Sequence, residues 1–69
     1  MKLSDVNFQA FCCGNGGSAD LAEMQVGSGW VRIIKPALGG FKVTRFGADK
    51  MVTHPEVEMS ADEVDAMLS

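Results

Sequence analysis

The chain has few of the residues from which catalytic and metal sites are built. Among its 69 residues there is one histidine, His54, and there are two cysteines, the neighbours Cys12 and Cys13. A structural zinc site needs four ligands, and a thioredoxin-like redox pair needs two residues between its cysteines. The sequence meets neither requirement. We therefore expect no metal ion and no cofactor, with one thiol facing the core and its neighbour facing out.

Nucleophilic and phosphate-binding motifs are also missing. Every serine would depend on the same His54 as its general base, so a nucleophile–histidine pair has little support. The glycine-rich stretch at residues 14–18 lacks the lysine of a P-loop, and we interpret it as a loop between two strands. His54, Glu56 and Glu58 alternate and are expected on one face of a strand, but they form an incomplete catalytic set. The sequence therefore predicts no catalytic residues and a protein that is not an enzyme.

Signals for membranes or secretion are absent as well. No apolar run approaches the length of a membrane span. Asp5 and Asn7 interrupt the first residues before the apolar stretch of a signal peptide could form. Lys2 stands where the N-myristoylation pattern requires glycine. From these features we expect one domain over residues 1–69 that is soluble, cytoplasmic and not membrane-bound, with reduced thiols.

Apolar side chains, in contrast, are abundant. Hydrophobic residues make up 46% of the chain and charged residues 22%, which is typical of a folded domain rather than a disordered one. A domain of this length buries only about 60% of its unfolded surface, so its core is thin. Some apolar side chains are therefore expected at an interface, either with a second copy in a homodimer or with another protein.

Charge is segregated along the chain. Residues 30–50 contain five of the six basic residues and one acidic residue, whereas residues 51–69 contain five acidic residues and no basic one. The acidic end predicts a recognition surface that could dock into a basic cleft of a partner protein. The candidate partner-binding residues are Glu56, Glu58, Asp62 and Asp65.

The end of the sequence carries a clear helix signal. Ser60 is a good N-cap, and Glu63 stands three residues later, where the two side chains can form a capping box. Met59 and Val64 are placed for a hydrophobic staple around that cap. A short helix is therefore predicted over residues 61–68, docked by its apolar stripe.

The middle of the chain has the pattern of strands joined by tight turns. The predicted strands are rich in β-branched and aromatic residues or alternate apolar with polar ones, and cover residues 22–26, 30–35, 41–46 and 51–59. Pro55 lacks an amide donor, which puts the last of these strands at a sheet edge. Residues 4–13 also alternate and are interpreted as a strand, with a helix as the alternative. The predicted fold is α+β: a small antiparallel β-meander of four to five strands with a short C-terminal helix packed on one face.

The basic middle allows a second function. If the outward faces of two neighbouring strands coincide, aromatic and basic side chains form a platform that can stack bases and hold phosphates. The nucleic-acid-binding candidates are Trp30, Arg32, Lys42, Arg45 and Phe46. The competing arrangement has the acidic helix lying over these strands, with Val64 and Leu68 packed on Trp30 or Phe46.

The leading prediction is a non-enzymatic protein–protein interaction module, which acts through the acidic C-terminal surface and an exposed apolar patch. A small inhibitor, an adaptor or an accessory subunit fits this description, including a phage-type inhibitor of a host protein. Single-stranded nucleic-acid binding through the aromatic–basic face of the central hairpin is the alternative.

Overall fold

The chain folds as an antiparallel five-stranded sheet with a helix at its C-terminal end, as seen in a computed structural model. The structure describes residues 1–12, 18–36 and 39–69, with only the backbone of residues 11, 12 and 18. The strands follow one another in the sheet in the order of the sequence, which confirms the predicted α+β meander. The elements are a 3-10 turn (Leu3–Asp5), β1 (Gln9–Cys12), β2 (Ser18–Val26), β3 (Gly29–Pro36), β4 (Phe41–Phe46), β5 (Val52–Met59) and α1 (Ala61–Leu68).

The helix α1 has the bounds and the cap that the sequence predicts. The Glu63 amide donates to Ser60 Oγ at 3.2 Å, and the Ser60 amide donates to Glu63 Oε1 at 3.1 Å. These reciprocal bonds satisfy two backbone donors that the first turn of a helix otherwise leaves free. Among the residues described, α1 falls short of the length and apolar character that crossing a bilayer requires.

The core lies between α1 and one face of the sheet. Val31, Ile33 and Val43 are buried together with Val64 and Leu68 of the helix. Side chains alternate between the two faces of a strand, so the helix covers one face, the helix face. In the described part of the chain nothing covers the opposite face, which we call the open face. Its residues include Leu21, Glu23, Gln25, Trp30, Arg32, Ile34, Lys42, Thr44, Phe46 and Glu58.

This arrangement corrects one expectation about the helix. Val64 and Leu68 do not pack on Trp30 or Phe46, because their partners in the core belong to the helix face. The physical reason is the burial of apolar side chains. The centre of β3 presents only apolar residues on the helix face, whereas it presents the charged Arg32 on the open face. A short apolar stripe gains more by covering the apolar face.

The N-terminal segment is only partly strand. Residues 4–13 were interpreted as one strand, but β1 covers Gln9–Cys12 and a 3-10 turn precedes it. Leu3, Val6 and Phe8 pack against the edge of the core instead of entering the sheet. The glycine-rich loop and Cys13 lie outside the described residues, as does the side chain of Cys12, so the predictions on the thiols and on this loop stay predictions.

Strand β5 is an edge strand with two irregularities. The register gains one extra residue in β5 between the pairs Val43–Val57 and Arg45–His54, and a second before the next pair. Such bulges are favoured at sheet edges and turn side chains to the other face. The expected common face of His54, Glu56 and Glu58 is therefore wrong, because His54 lies opposite Arg45 on the helix face while Glu58 belongs to the open face.

Candidate binding surface

The four acidic candidates do not form one surface. Glu58 belongs to the open face, and Glu56 is exposed on the same edge strand. Asp62 is exposed in the first turn of α1, on the other side of the sheet. Asp65 is half-buried, and its Oδ1 accepts the backbone amide of Leu3. Asp65 therefore holds the N-terminal segment against the helix and is not free for a partner.

The aromatic–basic candidates are brought together, with one exception. Trp30 of β3 lies directly opposite Phe46 of β4, and both belong to the open face. Arg32 and Lys42 belong to the same face, at other positions of these two strands. Arg45 lies opposite Val31 and so belongs to the helix face, which separates it from the other four candidates. Strict alternation along β4 is the reason for this separation.

The rings of Trp30 and Phe46 on the open face are each approached by a cation. The Arg32 guanidinium lies 5.3 Å from the centroid of the Phe46 ring, and Lys50 Nζ lies 4.6 Å from the centroid of the Trp30 ring. Both distances fall within the range of cation–π attraction, which orients these long side chains. We call Trp30, Arg32, Phe46 and Lys50 the aromatic–cation cluster.

Lys50 was not among the predicted site residues. It ends the turn between β4 and β5 with φ 64°, a left-handed conformation that a residue with a side chain rarely adopts. Its amide donates to the Gly47 carbonyl at 2.9 Å, and the next amide, of Met51, donates to Asp49 Oδ1 at 3.0 Å. These bonds hold the turn in the shape that brings Lys50 over Trp30. The only sequence signal was the turn pattern itself, which does not show where the lysine points.

Glu23 completes the surroundings of the cluster. Its Oε2 accepts hydrogen bonds from Nε and Nη2 of Arg32, each at 3.2 Å. The two side chains are 53% and 44% exposed, so this pair contributes about 0.2–1 kcal/mol to stability. Its effect is to fix the direction of the guanidinium over Phe46. Together with the cluster, Glu23 lines a shallow depression in the open face.

The charges of the open face come as neighbours of opposite sign. Arg32 lies opposite Glu23, and Lys42 lies opposite Glu58. The face is thus not a basic patch, although the sequence segment that contributes most of it is basic. This mixed pattern favours a partner surface that also carries both signs.

The described residues offer no sign of a metal site. Among the side chains that the structure describes, no three from histidine, cysteine, aspartate and glutamate come close enough to hold an ion. The bulges in β5 explain part of this, because they turn His54 away from Glu58.

Comparisons with protein-family models, with curated proteins and with solved structures return no match. The geometry of the open face is therefore the basis for a functional proposal.

Proposed function

We propose that the chain is a non-enzymatic protein-interaction module whose contact surface is the open face. The observation that carries the proposal is the cross-strand pair of Trp30 and Phe46 on the face that the helix leaves uncovered. Tryptophan and arginine are the residues that most often dominate the binding energy of protein interfaces. In this chain they are two residues apart on the uncovered face of β3, the middle strand of the sheet, and Trp30 lies near the start of that strand.

The shape of the surface supports a large partner. The depression at the aromatic–cation cluster has a volume of about 170 Å³, less than the roughly 300–1,000 Å³ of typical small-molecule sites. Trp30 and Phe46 are half-buried, so their rings are already ordered, and binding would cost little side-chain entropy.

The proposal moves the contact surface away from the acidic residues. Asp62 and Glu58 lie on opposite sides of the sheet, and Asp65 is engaged with Leu3, so an acidic docking surface has less support than the open face. Roles as an inhibitor, adaptor or accessory subunit, and a location in the cytoplasm, belong to this proposal on the grounds of the sequence alone.

Two arginines of the chain provide a matched test. Arg32 and Arg45 are both exposed and lie on adjacent strands, but they belong to opposite faces. Tagged protein is used to capture partners from a lysate of the source organism, and the retained proteins are identified by mass spectrometry. We expect Arg32→Glu to abolish retention of the specific partner and Arg45→Glu, with the same change in charge, to preserve it.

The controls decide the outcome of this experiment. Circular dichroism must show that both variants keep the native spectrum. Retention of the partner by Arg32→Glu, or equal loss with both variants, would place the contact surface elsewhere and contradict the proposal.

A second candidate function is binding of single-stranded nucleic acid, and one observation favours it. Two neighbouring aromatic rings, Trp30 and Phe46, share the open face with Arg32 and Lys42. The ammonium group of Lys50 lies over the Trp30 ring. Each base stacked on such a ring contributes about 1–3 kcal/mol. Glu58 and the net charge of −3 oppose a polyanion, so this function ranks second.

The single tryptophan separates the two candidates. A titration with single-stranded oligonucleotides at low salt should quench Trp30 fluorescence if bases stack on the cluster, and added salt should reverse the quenching. Unchanged fluorescence excludes nucleic-acid binding at the cluster and leaves the protein-interaction proposal in place.

A further inference from the structure

We infer that the open face of one copy packs on the open face of a second copy. The resulting dimer has two sheets face to face in its centre and the two α1 helices outside. The inference rests on the proposed function, because it takes the open face as the contact surface and names a second copy of this chain as its partner.

The area of the open face suits a small interface. The strands that stack, β1 to β4, have 4, 9, 8 and 6 residues. At about 3.3 Å per residue and about 4.8 Å per strand, they span roughly 430 Å² in each copy. This area is at the low end for specific interfaces, so we expect a weak dimer.

The residue pattern selects one symmetry. A two-fold axis that runs along the strands, above the boundary between β2 and β3, brings β2 of one copy over β3 of the other. Each residue of a β2–β3 cross-strand pair then lies over its pair partner from the second copy. Leu21 lies over Ile34 of the second copy, Glu23 over Arg32 of the second copy, and Gln25 over Trp30 of the second copy.

Each of these three contacts is attractive. The first joins two apolar side chains, the second joins opposite charges, and the third offers an amide to the edge or face of an indole. Because the axis repeats each contact, Glu23 and Arg32 form two ion pairs across the interface. The exposed pair within each chain thereby becomes part of a four-residue charge network in the dimer.

The neighbouring axis is less suitable. An axis above the boundary between β3 and β4 would bring β2 of one copy over β5 of the other. Leu21 would then face Glu58, and Glu23 would face the stretch that contains Glu56, so apolar and like-charged groups would meet. Such contacts cost binding energy, which favours the β2–β3 axis over this one.

Pairing through the β5 edge of the sheet is also less suitable than stacking of the faces. The edge strand β5 carries Pro55 and two bulges, and its acidic residues would approach those of a second β5. These features are the ones by which proteins prevent edge-to-edge pairing.

The test is the mass of the protein in solution. Sedimentation equilibrium of the full chain over a wide range of concentration should show a species of twice 7.4 kDa. Arg32→Glu should raise the dissociation constant about tenfold or more, because it puts like charges together at two places. The exchange of both charges, Glu23→Arg with Arg32→Glu, should restore the dimer, and Arg45→Glu should leave it unchanged.

The outcomes separate this inference from the proposed function. A native protein that stays monomeric at every concentration overturns the dimer, and so does a dimer that Arg32→Glu and Arg45→Glu affect equally. A monomer whose foreign partner is lost in Arg32→Glu alone overturns the dimer and supports the proposed function. If Arg32→Glu loses the native circular dichroism spectrum, the test is a mixture of native chains with chains that carry the double exchange, which keeps the Glu23–Arg32 pair within the chain. Like charges would meet in a mixed dimer, so we expect each kind of chain to pair with itself, and free mixing would overturn the dimer.

Discussion

Gly29 occupies a position with no room for a side chain. A Cβ built there would clash with the backbone carbonyl oxygen of Phe46 on the neighbouring strand. Backbone atoms cannot move aside as the end of a flexible side chain can, so β3 and β4 would have to separate. We expect Gly29→Ala to lower the free energy of unfolding by about 2 kcal/mol, as overpacking commonly does. Urea unfolding followed by circular dichroism measures the change.

The adjacent Ser28 provides the control for this prediction. It is exposed in the turn, so Ser28→Ala should change the free energy of unfolding by less than about 0.5 kcal/mol. Equal stability of Gly29→Ala and the native protein would mean that the two strands are farther apart than the structure shows.

The interaction of Lys50 with Trp30 can be measured by a double-mutant cycle. Lys50→Gly relieves a left-handed conformation that costs about 1–2 kcal/mol, but it also removes an exposed cation–π contact worth about 0.5–1 kcal/mol. In the Trp30→Leu protein there is no cation–π contact to lose, so Lys50→Gly has only the stabilising effect of relieving the left-handed conformation. We therefore expect Lys50→Gly to stabilise the Trp30→Leu protein more than the native protein, by about 0.5–1 kcal/mol.

A second cycle, with Arg45→Ala in place of Lys50→Gly, tests the specificity of that coupling. Arg45 belongs to the other face, so its effect should be the same in both backgrounds within about 0.5 kcal/mol. Strict additivity of Lys50→Gly and Trp30→Leu would show that the ammonium group is not held over the indole.

At the scale of elements, the local signals and the order of the strands were predictable, whereas the register of β5 was not. The capping box of Ser60 and Glu63 depends on four consecutive residues, so the bounds of α1 could be read from the sequence. The bulges of β5 arise from how it pairs with β4, which no local pattern encodes. Alternation therefore predicted the wrong face for His54.

Asp65 joins two elements that are far apart in the sequence. Its carboxylate accepts the Leu3 amide, which fastens the N-terminal 3-10 turn to α1. We expect Asp65→Ala to lower the free energy of unfolding by about 1.5–3 kcal/mol, the typical contribution of a hydrogen bond to a charged group. Hydrogen exchange of the Leu3 amide should accelerate at the same time.

Two variants on the same helix test this interpretation. Asp65→Asn retains an acceptor oxygen and should keep part of the protection of the Leu3 amide. Asp62→Ala removes an exposed carboxylate from the first turn and should leave that amide unaffected. Acceleration of Leu3 exchange by Asp62→Ala as well would indicate general fraying of α1 rather than loss of one bond.

At the scale of the whole molecule, the candidate binding surface was half predictable. Alternation placed Trp30 and Arg32 on one strand face, and the turn between β3 and β4 brought Phe46 beside them. The sequence did not decide which face of the sheet the helix would cover, because both faces of β3 contain large apolar residues. Lys50 was not predictable, since its position over Trp30 depends on the three-dimensional shape of a turn.

The small core makes the stability of the molecule sensitive to single changes. A core in a chain of this size supplies about 3–5 kcal/mol, and truncation of a buried isoleucine to alanine costs about 2–5 kcal/mol. Ile33 is fully buried at the centre of the sheet. We therefore expect Ile33→Ala to be largely unfolded at room temperature. Ile33→Val costs only about 0.5–1.5 kcal/mol and should remain folded.

The same residue connects folding to the inferred dimer. Because only folded chains can form the dimer, dimer formation adds stability that grows with protein concentration. The thermal midpoint of Ile33→Val should therefore rise with concentration, whereas that of Ile33→Val combined with Arg32→Glu should not. Circular dichroism and Trp30 fluorescence should give the same midpoint in each case. A midpoint independent of concentration in both proteins would show that this thin core is stable without a second copy.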